Sequence, residues 1–564
     1  MNKVIRHCIS DVLKVALESL KASGEFIFTS FPSFTIDPTK DAKFGDVSTN
    51  VALILASELK KPPGQVAKRM VEEIQKSHSV SVETFRSVQI GGPGFINFYL
   101  GKEPLLAILH EILHLKELYG KSDFGNKQKI ILEFVNANPT GPLTLAHGRQ
   151  AAVGDSLARI MDFTGYDVFK EYYLNDRGRQ INVLGHSVYL RYLELLGKTV
   201  SFPEDFYQGD YIRDLAQEVF EKKSDSFSKE DEKKAIEFFS QYACDRMMDG
   251  IKKDLADFGV QFDQYFSERE FVATGKVEAC LEELRKRGFV YEEEGAVWLR
   301  STDFGDDKNR VLIKSSGEMT YITPDTAYHR DKLMRGFDRV INIWGPDHHG
   351  YIPRLKAALS ALGFDSDRIR VIILQLATLY EGDEKLSMST RRGEFVTLRQ
   401  VMDEVGKDVG RYFFLMRRTD SHLDFDLNLA KKHSLENPIY YIQYAHARIC
   451  SIFEKVEREI GGSHQFFEKA LSEIVSFESQ EVEIIKKLAL FQEVLEGCSI
   501  QLDPYGLTDY LLKVAQTFHQ FYNRERVISD DLEKTRIRMA LVKAVQIVLK
   551  NGLGLLGVNA PEQM

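Results

Sequence analysis

The residues whose types and order could do chemistry begin in the stretch 129–165. Lys129 to Val135 is dense in Ile, Leu, Phe and Val and reads as a strand buried on both faces. Asn136-Ala137-Asn138-Pro139-Thr140-Gly141-Pro142 comes next, a turn rich in breakers. From His147 onward Ala152, Val153, Leu157, Ile160 and Met161 recur at helical spacing, and Gly165 is a stop. Strand, Gly/Pro turn and helix form the opening unit of a nucleotide-binding α/β sheet. The helix start presents free N–H groups and a partial positive charge above the turn, which suits a phosphate. Further along, Tyr321 and Asp325 stand four apart after a strand, so on a helical turn they face the same way. The competing reading of Asp325 is a helix N-cap after Pro324. Asp347-His348-His349 invites a metal reading, but no Cys or His lies nearby at ligand spacing, and histidines at a packed strand end or an adenine pocket are the plainer account.

These clusters need a frame. After the first helix, Tyr172 to Ile181 reads as a strand ending in a polar cluster. Ala296–Leu299, Arg310–Lys314, Arg339–Ile343 and Ile369–Leu374 read as further strands with helices between. Alternating strands and helices predict a parallel, doubly wound α/β sheet, whose ligands bind at the carboxyl ends of the strands. The motifs beginning at Asn136, Tyr173, Tyr321, Trp344 and Gln375 all fall at such ends, so one pocket can collect them. Residues 183–285 are helical in pattern with charged runs, and read as an insertion between the halves of the sheet.

Two motifs carry a resemblance. Pro142-Leu143-Thr144-Leu145-Ala146-His147 resembles the HIGH signature of class I aminoacyl-tRNA synthetases, and Glu133 to Leu143 resembles arginyl-tRNA synthetases in particular. Thr144 stands where that family has its first histidine and Ala146 where it has glycine. Met388-Ser389-Thr390-Arg391-Arg392-Gly393, running on to Val396-Thr397-Leu398, resembles the KMSKS loop in its arginyl form, with Ser387 and Thr390 at the two lysine positions. The resemblance extends over essentially the whole chain. It implies activation of L-arginine by ATP with Mg²⁺, then transfer to the 3′ end of tRNA(Arg). Neither step needs a protein nucleophile; both need positioning and positive charge around the phosphates.

By the same resemblance His147, Thr144, Arg391 and Arg392 are the catalytic residues. His147 donates to an α- or β-phosphate, Thr144 gives a neutral hydrogen bond, and the two arginines take the leaving pyrophosphate. Tyr321 and Asp325 hold the guanidinium, with Glu294 a weaker candidate, and Glu133 and Asn138 fix the α-amino and carboxylate groups. The remaining ATP contacts fall on Ala137, Pro139, Thr140, Gly141, Pro142, Leu143, Leu145, Ala146, His348, Met388 and Ser389. No resident metal and no zinc are implied, and Mg²⁺ is held mainly by ATP and water.

The same reading gives a domain plan. Residues 1–115 combine apolar helices with two strands around Gly91-Gly92-Pro93-Gly94, an α+β domain resembling the one that contacts the tRNA elbow in this family. Lys60, Lys61, Lys68 and Arg69 are its candidate phosphate contacts. Its Gly45-Asp46-Val47-Ser48-Thr49-Asn50 stretch reads as a helix cap, with Asp46, Ser48 or Thr49 satisfying free N–H groups. Residues 116–430 form the Rossmann-like catalytic domain, with the helical insertion at about 183–290. Residues 431–564 read as an all-α bundle with helices from 437 and near 479–500, 505–523 and 533–553. By resemblance this is the anticodon-binding domain. Tyr444, His446, Arg448, Phe518, Phe521, Tyr522, Arg524 and Arg526 mix aromatics with cations, a combination suited to stacking on unpaired bases and pairing with phosphates.

Composition bounds the rest. The 564 residues exceed one core, and the formal net charge of −9 leaves nucleic-acid contact to local patches. The five cysteines are scattered with no CxxC pair, which fits a reducing compartment. With no signal-peptide core and no membrane-length apolar run, a cytoplasmic protein without membrane contact is expected, and the family implies a monomer. The alternative function is a catalytically inactive tRNA-binding paralogue, for which the substitutions at Thr144, Ala146, Ser387 and Thr390 speak. A class I synthetase for cysteine would need zinc ligands this chain lacks, and one for a large apolar amino acid would carry a long editing insertion.

Overall fold

The computed structural model describes residues 3–39, 41–76, 83–228, 230–382, 384–385, 396–459 and 476–564. The N-terminal part comprises α1 (Lys3–Ala22), β1 (Ile36–Pro38), β2 (Val47–Thr49), α2 (Val51–Leu59), α3 (Pro63–Lys76), β3 (Phe85–Gly91), β4 (Phe95–Leu100) and α4 (Lys102–Leu115). Its strands form one antiparallel sheet in the order β1-β2-β4-β3. The Gly45–Asn50 stretch does not cap α2 as expected. Asp46 instead accepts the main-chain N–H of Leu100 at 2.7 Å and pairs with Lys486 of the C-terminal bundle at 2.7 Å. Ser48 donates to Asn97, and Asn50 accepts the N–H of Thr35. Only Thr49 approaches the helix start, at 3.4 Å from the N–H of Val51. Polar residues before a helix satisfy a cap pattern locally, but here strand pairing and a second domain claim them.

The catalytic frame is a five-stranded, wholly parallel sheet in the order β12-β11-β5-β6-β7. It is built from β5 (Lys129–Glu133), α5 (Leu145–Phe163), β6 (Asp167–Leu174), α6 (Arg179–Leu195), α7 (Asp210–Lys223), α8 (Glu232–Asp257), β7 (Gln264–Ser267), α9 (Glu268–Ala273), α10 (Lys276–Lys286), β8 (Val290–Glu293), β9 (Ala296–Leu299), β10 (Arg310–Ile313), α11 (Ile322–Met334), β11 (Arg339–Trp344), α12 (Ile352–Ala361) and β12 (Ile369–Ile373). The expected α/β class holds, with two differences. The stretch read as helical insertion contains β7, a strand of the main sheet; four residues of mixed polarity give too short a period-2 signal to show. The helices α6, α7 and α8 do build a separate core around Leu184, Tyr192, Leu215 and Phe239. The strands at 296–299 and 310–313 leave the main sheet for an antiparallel three-stranded one, β10-β9-β8.

Parallel register brings polar residues of the central strands together. Asn342 of β11 lies opposite Glu133 of β5, which lies opposite Glu171 of β6. Three polar residues therefore stand side by side, on one face of the sheet, near its carboxyl edge.

After β12 come β13 (Ala377–Glu381), β14 (Glu384–Lys385), α13 (Leu398–Leu415), β15 (Leu423–Asp426) and α14 (Leu427–Ala430). The bundle comprises α15 (Pro438–Glu459), α16 (Ser479–Ala489), α17 (Phe491–Gln501), α18 (Tyr505–Arg524) and α19 (Leu532–Leu555), close to the expected spans. Among the described residues no helix is long and apolar enough to cross a membrane.

The parts meet at the middle of α5. Asp155 is wholly buried and pairs with the equally buried Arg411 of α13 at 2.7 Å, and with Arg159 at 2.7 Å. The Arg411 guanidinium also donates to the carbonyls of Leu556, just past α19, and Phe258, just past α8. A Cβ on Gly557 would sit 2.5 Å from that guanidinium, so only glycine fits there. Asp155→Asn leaves the Arg411 charge buried without its carboxylate and is expected to destabilise by about 3–5 kcal/mol. The readout is a lower urea midpoint by tryptophan fluorescence and circular dichroism; an unchanged midpoint would refute the assignment.

Candidate active site

The site starts where β5 ends. Val135 and Asn136 both adopt left-handed backbone conformations, φ 71° and 45°. For a β-branched residue that is a strained geometry, of the kind kept where surrounding contacts enforce it. Those contacts are present. Asn136 donates to Glu133 at 2.6 Å and accepts the N–H of Tyr173 at 2.8 Å. The Tyr172 hydroxyl donates to the carbonyl of Ala137, and the Tyr211 hydroxyl to that of Thr140. The turn thus opens a cleft of about 760 Å³ whose walls include Glu133, Asn138, His147, Tyr173, Glu268, Tyr321, Asp325, Trp344 and His348. Four of the five expected strand-end motifs contribute to it. The fifth, at Gln375, does not: its carbonyl accepts from Arg149 at 2.6 Å.

Several expected ATP contacts are not walls of the cleft. Ala137, Leu143 and Leu145 are buried core residues. Pro139, Thr140, Gly141, Pro142 and Ala146 shape the turn and the first helical residues without lining the cavity. An apolar side chain here is selected by packing under the turn, and what it offers a nucleotide is main chain.

His147 lies in the first turn of α5, where Thr144 and His147 form a capping box. The Thr144 N–H donates to His147 Nδ1 at 3.1 Å. A main-chain N–H can only donate, so Nδ1 is the acceptor and the ring proton sits on Nε2. Burial pushes the His147 imidazole down to about 4. The ring is thus a neutral donor, aimed where the helix start already favours an anion. Arg149, two residues on, is buried and donates to the carbonyls of Gln375, Leu376, Arg418 and Ser421, fastening α5 to the segments that lead into β13 and β15.

Below the cleft lies a buried polar layer. Glu133 accepts from Asn136 and from the Tyr328 hydroxyl at 2.7 Å and is paired with Lys332. Burial pushes its carboxyl up, but Lys332, His329 and the Tyr328 hydroxyl together outweigh that and hold it below the ordinary range. Glu133, the expected partner of the α-ammonium, reaches the cleft from this layer while its charge is paired with Lys332. Glu171 takes Arg335 at 2.7 Å.

Two other acids face the cleft differently. Asp325 is not a helix cap: α11 starts three residues earlier and Tyr321 precedes it. Burial raises its carboxyl, but His329 foremost, then Tyr351 and Lys332, hold it below the usual range. Glu268, absent from the sequence-based candidates, opens α9 and is pushed up, chiefly by burial. It is positioned by Asp176, which accepts from Ser267 at 2.6 Å and from the N–H of Arg269 at 2.9 Å. The polar cluster Asn175-Asp176 is visible in the sequence, but its target ninety residues away is not. Tyr321 stands at the rim, 88% exposed, so the expected shared facing with Asp325 holds only for the cleft edge. Glu294 is excluded from the site: it is exposed in the β8–β9 turn at φ 49°. Asn138 lines the cleft and donates to Gln180 at 2.8 Å. Trp344 and His348 form an aromatic pair, 5.9 Å between centroids, on the opposite wall. Met388, Ser389, Arg391 and Arg392 lie outside the described residues. Downstream of them Thr397 bridges to Thr144, and the N–H of Leu398 donates to the carbonyl of Leu143 at 2.8 Å.

The expected nucleic-acid residues divide similarly. Arg69 is committed to Glu25 and Glu73, and Lys61 leans on the carbonyl of Glu25, while Lys60 and Lys68 are exposed. His446, Phe518 and Phe521 are bundle core. Arg448 lies over the Tyr444 and Tyr522 rings at 4.5 and 4.7 Å, and Arg524 and Arg526 are exposed.

Comparison with known proteins agrees part by part. Three family models match: the arginyl tRNA synthetase N-terminal domain at residues 3–100, the class I (R) tRNA synthetase catalytic domain at 108–414, and the DALR anticodon binding domain at 442–564. An arginine–tRNA ligase of Geobacter sp. (strain M21) is 45% identical over the whole of both chains. One from Anoxybacillus flavithermus is 47% identical over 97% of each. The solved Thermus thermophilus arginyl-tRNA synthetase shares the fold with a TM-score of 0.71 at 21% identity, over 98% of this chain and all of that one. With a class I catalytic cleft built on a parallel sheet, and relatives of this similarity along its full length, the chain belongs to the arginyl-tRNA synthetase family.

Proposed function

We propose that the protein is an arginine–tRNA ligase, which joins L-arginine to the α-phosphate of ATP and passes it to the 3′ end of tRNA(Arg). The observation that carries this reading is the charge balance of the cleft. Glu133 is matched by Lys332, whereas Asp325 and Glu268 have no Lys or Arg partner within 4 Å among the described residues. These two carboxylates inside the cleft, with the exposed Asp347 beside His348 as a third acid in its lining, stand near a helix N-terminus and suit a ligand with cationic groups at one end and phosphate at the other. Asp325 and Glu268 supply acceptors for the guanidinium fork, and Tyr321 closes the rim. Asn138 orients the amino-acid head. His147 donates Nε2–H to a phosphate while Thr144 holds its ring, and Trp344 and His348 flank the adenine. Arg391 and Arg392 take the leaving pyrophosphate. Mg²⁺ arrives on the triphosphate and offsets its charge.

In the first step the arginine carboxylate attacks the α-phosphorus and pyrophosphate leaves. In the second the terminal ribose hydroxyl of tRNA attacks the adenylate carbonyl and AMP leaves. The intact capping box around His147 and the complete set of acids favour this over the inactive paralogue. Residues 1–115 carry the elbow contact through Lys60 and Lys68. Residues 431–564 read the anticodon on the Tyr444–Arg448–Tyr522 face. A monomer working in the cytoplasm without membrane contact completes the reading.

Four measurements test it. Total tRNA incubated with each labelled amino acid, ATP and Mg²⁺ is expected to be charged with arginine alone; binding of tRNA with no charging at all would favour the inactive paralogue. Asp325→Asn removes a charge-assisted acceptor and is expected to raise the KM for arginine about a hundredfold with the KM for ATP unmoved. His147→Ala is expected to lower kcat for adenylate formation by about 10²–10³-fold. The folded imidazole is at about 4, against about 6.5 unfolded, so its contribution to stability is complete above 6.5 and is lost as pH falls through 4. Heteronuclear NMR should accordingly show the His147 ring neutral, with its proton on Nε2, throughout pH 6.5–8.5. A titration within that window would contradict the neutral-donor role.

A further inference from the structure

Three buried side chains that line neither the cleft nor the surface form a line from the sheet to Asp325. Lys332, His329 and Asn342 are all buried, at 0%, 1% and 0% exposure. The Lys332 ammonium donates to Asn342 Oδ1 at 3.2 Å. Asn342 Nδ2 lies 2.8 Å from His329 Nε2. His329 Nδ1 lies 3.1 Å from the Asp325 carboxylate and 2.9 Å from the Asp325 carbonyl. Spacing explains the alignment: Asp325, His329 and Lys332 fall on one face of α11, and that face lies over the strand ends that carry Asn342 and Glu133.

The hydrogen-bond directions in this line are forced. An ammonium can only donate, so the Asn342 atom facing it is the oxygen. The Asn342 atom facing His329 is then the NH₂, which donates, so His329 Nε2 accepts. The imidazole proton is left on Nδ1, pointing at Asp325. Lys332, anchored by Glu133, thereby fixes the tautomer of a ring two bonds removed from it. We propose that Lys332, Asn342 and His329 are positioning residues for arginine selection. They hold Asp325 as an ionised acceptor in one orientation, with one oxygen tied by His329 and the other left for the guanidinium. The inference rests on the assignment of Asp325 to the guanidinium made above. It assigns the discrimination to a buried relay as well as to the residues that touch substrate.

Asparagine and glutamine separate the two halves of the ring. In His329→Asn the amide reaches the Nδ1 position and can still donate to Asp325. In His329→Gln the amide reaches the Nε2 position, meeting Asn342 and leaving Asp325 without its donor. His329→Gln is expected to raise the KM for arginine about tenfold or more, the effect of one lost charge-assisted bond, with the KM values for ATP and tRNA unchanged. His329→Asn should recover most of that loss. His329→Gln should also lose preference for arginine over canavanine, whose oxyguanidinium is a weaker base and less dependent on an ionised partner, and His329→Asn should keep it. A purely structural role would move the melting temperature and all three KM values together and would not separate Asn from Gln at 329. Equal arginine KM values for the two His329 variants, or an unchanged arginine-to-canavanine ratio in His329→Gln, would overturn the relay. If the wild-type protein charges no arginine, the functional reading fails first; if it does and the variants match it, only the relay fails.

Discussion

The rest of the molecule hangs on the carboxylate of Asp155. It sits halfway along the helix that begins at the phosphate-facing turn, wholly out of water, and a buried charge of that kind persists only if matched. Arg411 supplies the match and directs its other donors to the carbonyls of Phe258 and Leu556. One ion pair therefore ties α5 to α13, to the end of the helical insertion and to the end of the last helix of the bundle. The orientation of α5 decides where His147 points, so the position of its imidazole is set by contacts with three other parts of the chain.

A second buried layer governs the amino-acid end of the cleft. Parallel pairing places Asn342, Glu133 and Glu171 abreast, and α11 lays Tyr328, His329, Lys332 and Arg335 over them. Such a layer is destabilising unless every member has a partner. Its satisfaction leaves Asp325 and Glu268, together with the exposed Asp347, as acids of the cleft lining without Lys or Arg partners among the described residues. Charge left unmatched at the ligand is thus defined by charge matched underneath it. The backbone strain at Val135 belongs to the same design, since the sharp reversal there lets Asn136 brace both Glu133 and β6.

Much of this is legible along the chain because the signals are local. The apolar run 130–135, the breakers after it and the helical spacing beyond His147 need no distant partner to be read. The bundle helices are readable to within a few residues for the same reason, since amphipathic periodicity over twenty residues is a strong signal. Short strands are not. β7 has four residues of mixed polarity, and the strands at 296–299 and 310–313 look the same whether they extend a parallel sheet or form an antiparallel one.

The sequence by itself determined the α/β class, the order of the parts, the phosphate-facing helix start and the residues resembling an arginyl-tRNA synthetase site. Each of those is written in residue type and spacing within one stretch. Only the tertiary structure decided which polar residues are free to act. Asp46 has the look of a cap and is a tie to the bundle, Glu133 reaches the cleft with its charge already paired to Lys332, and Arg69 has the look of a phosphate contact and is held by two glutamates. Glu268 and the Lys332–Asn342–His329 line carry no signal in the sequence that marks them as site residues. The physical reason is that a charged side chain is available only if no partner has claimed it, and partners here come from tens to hundreds of residues away.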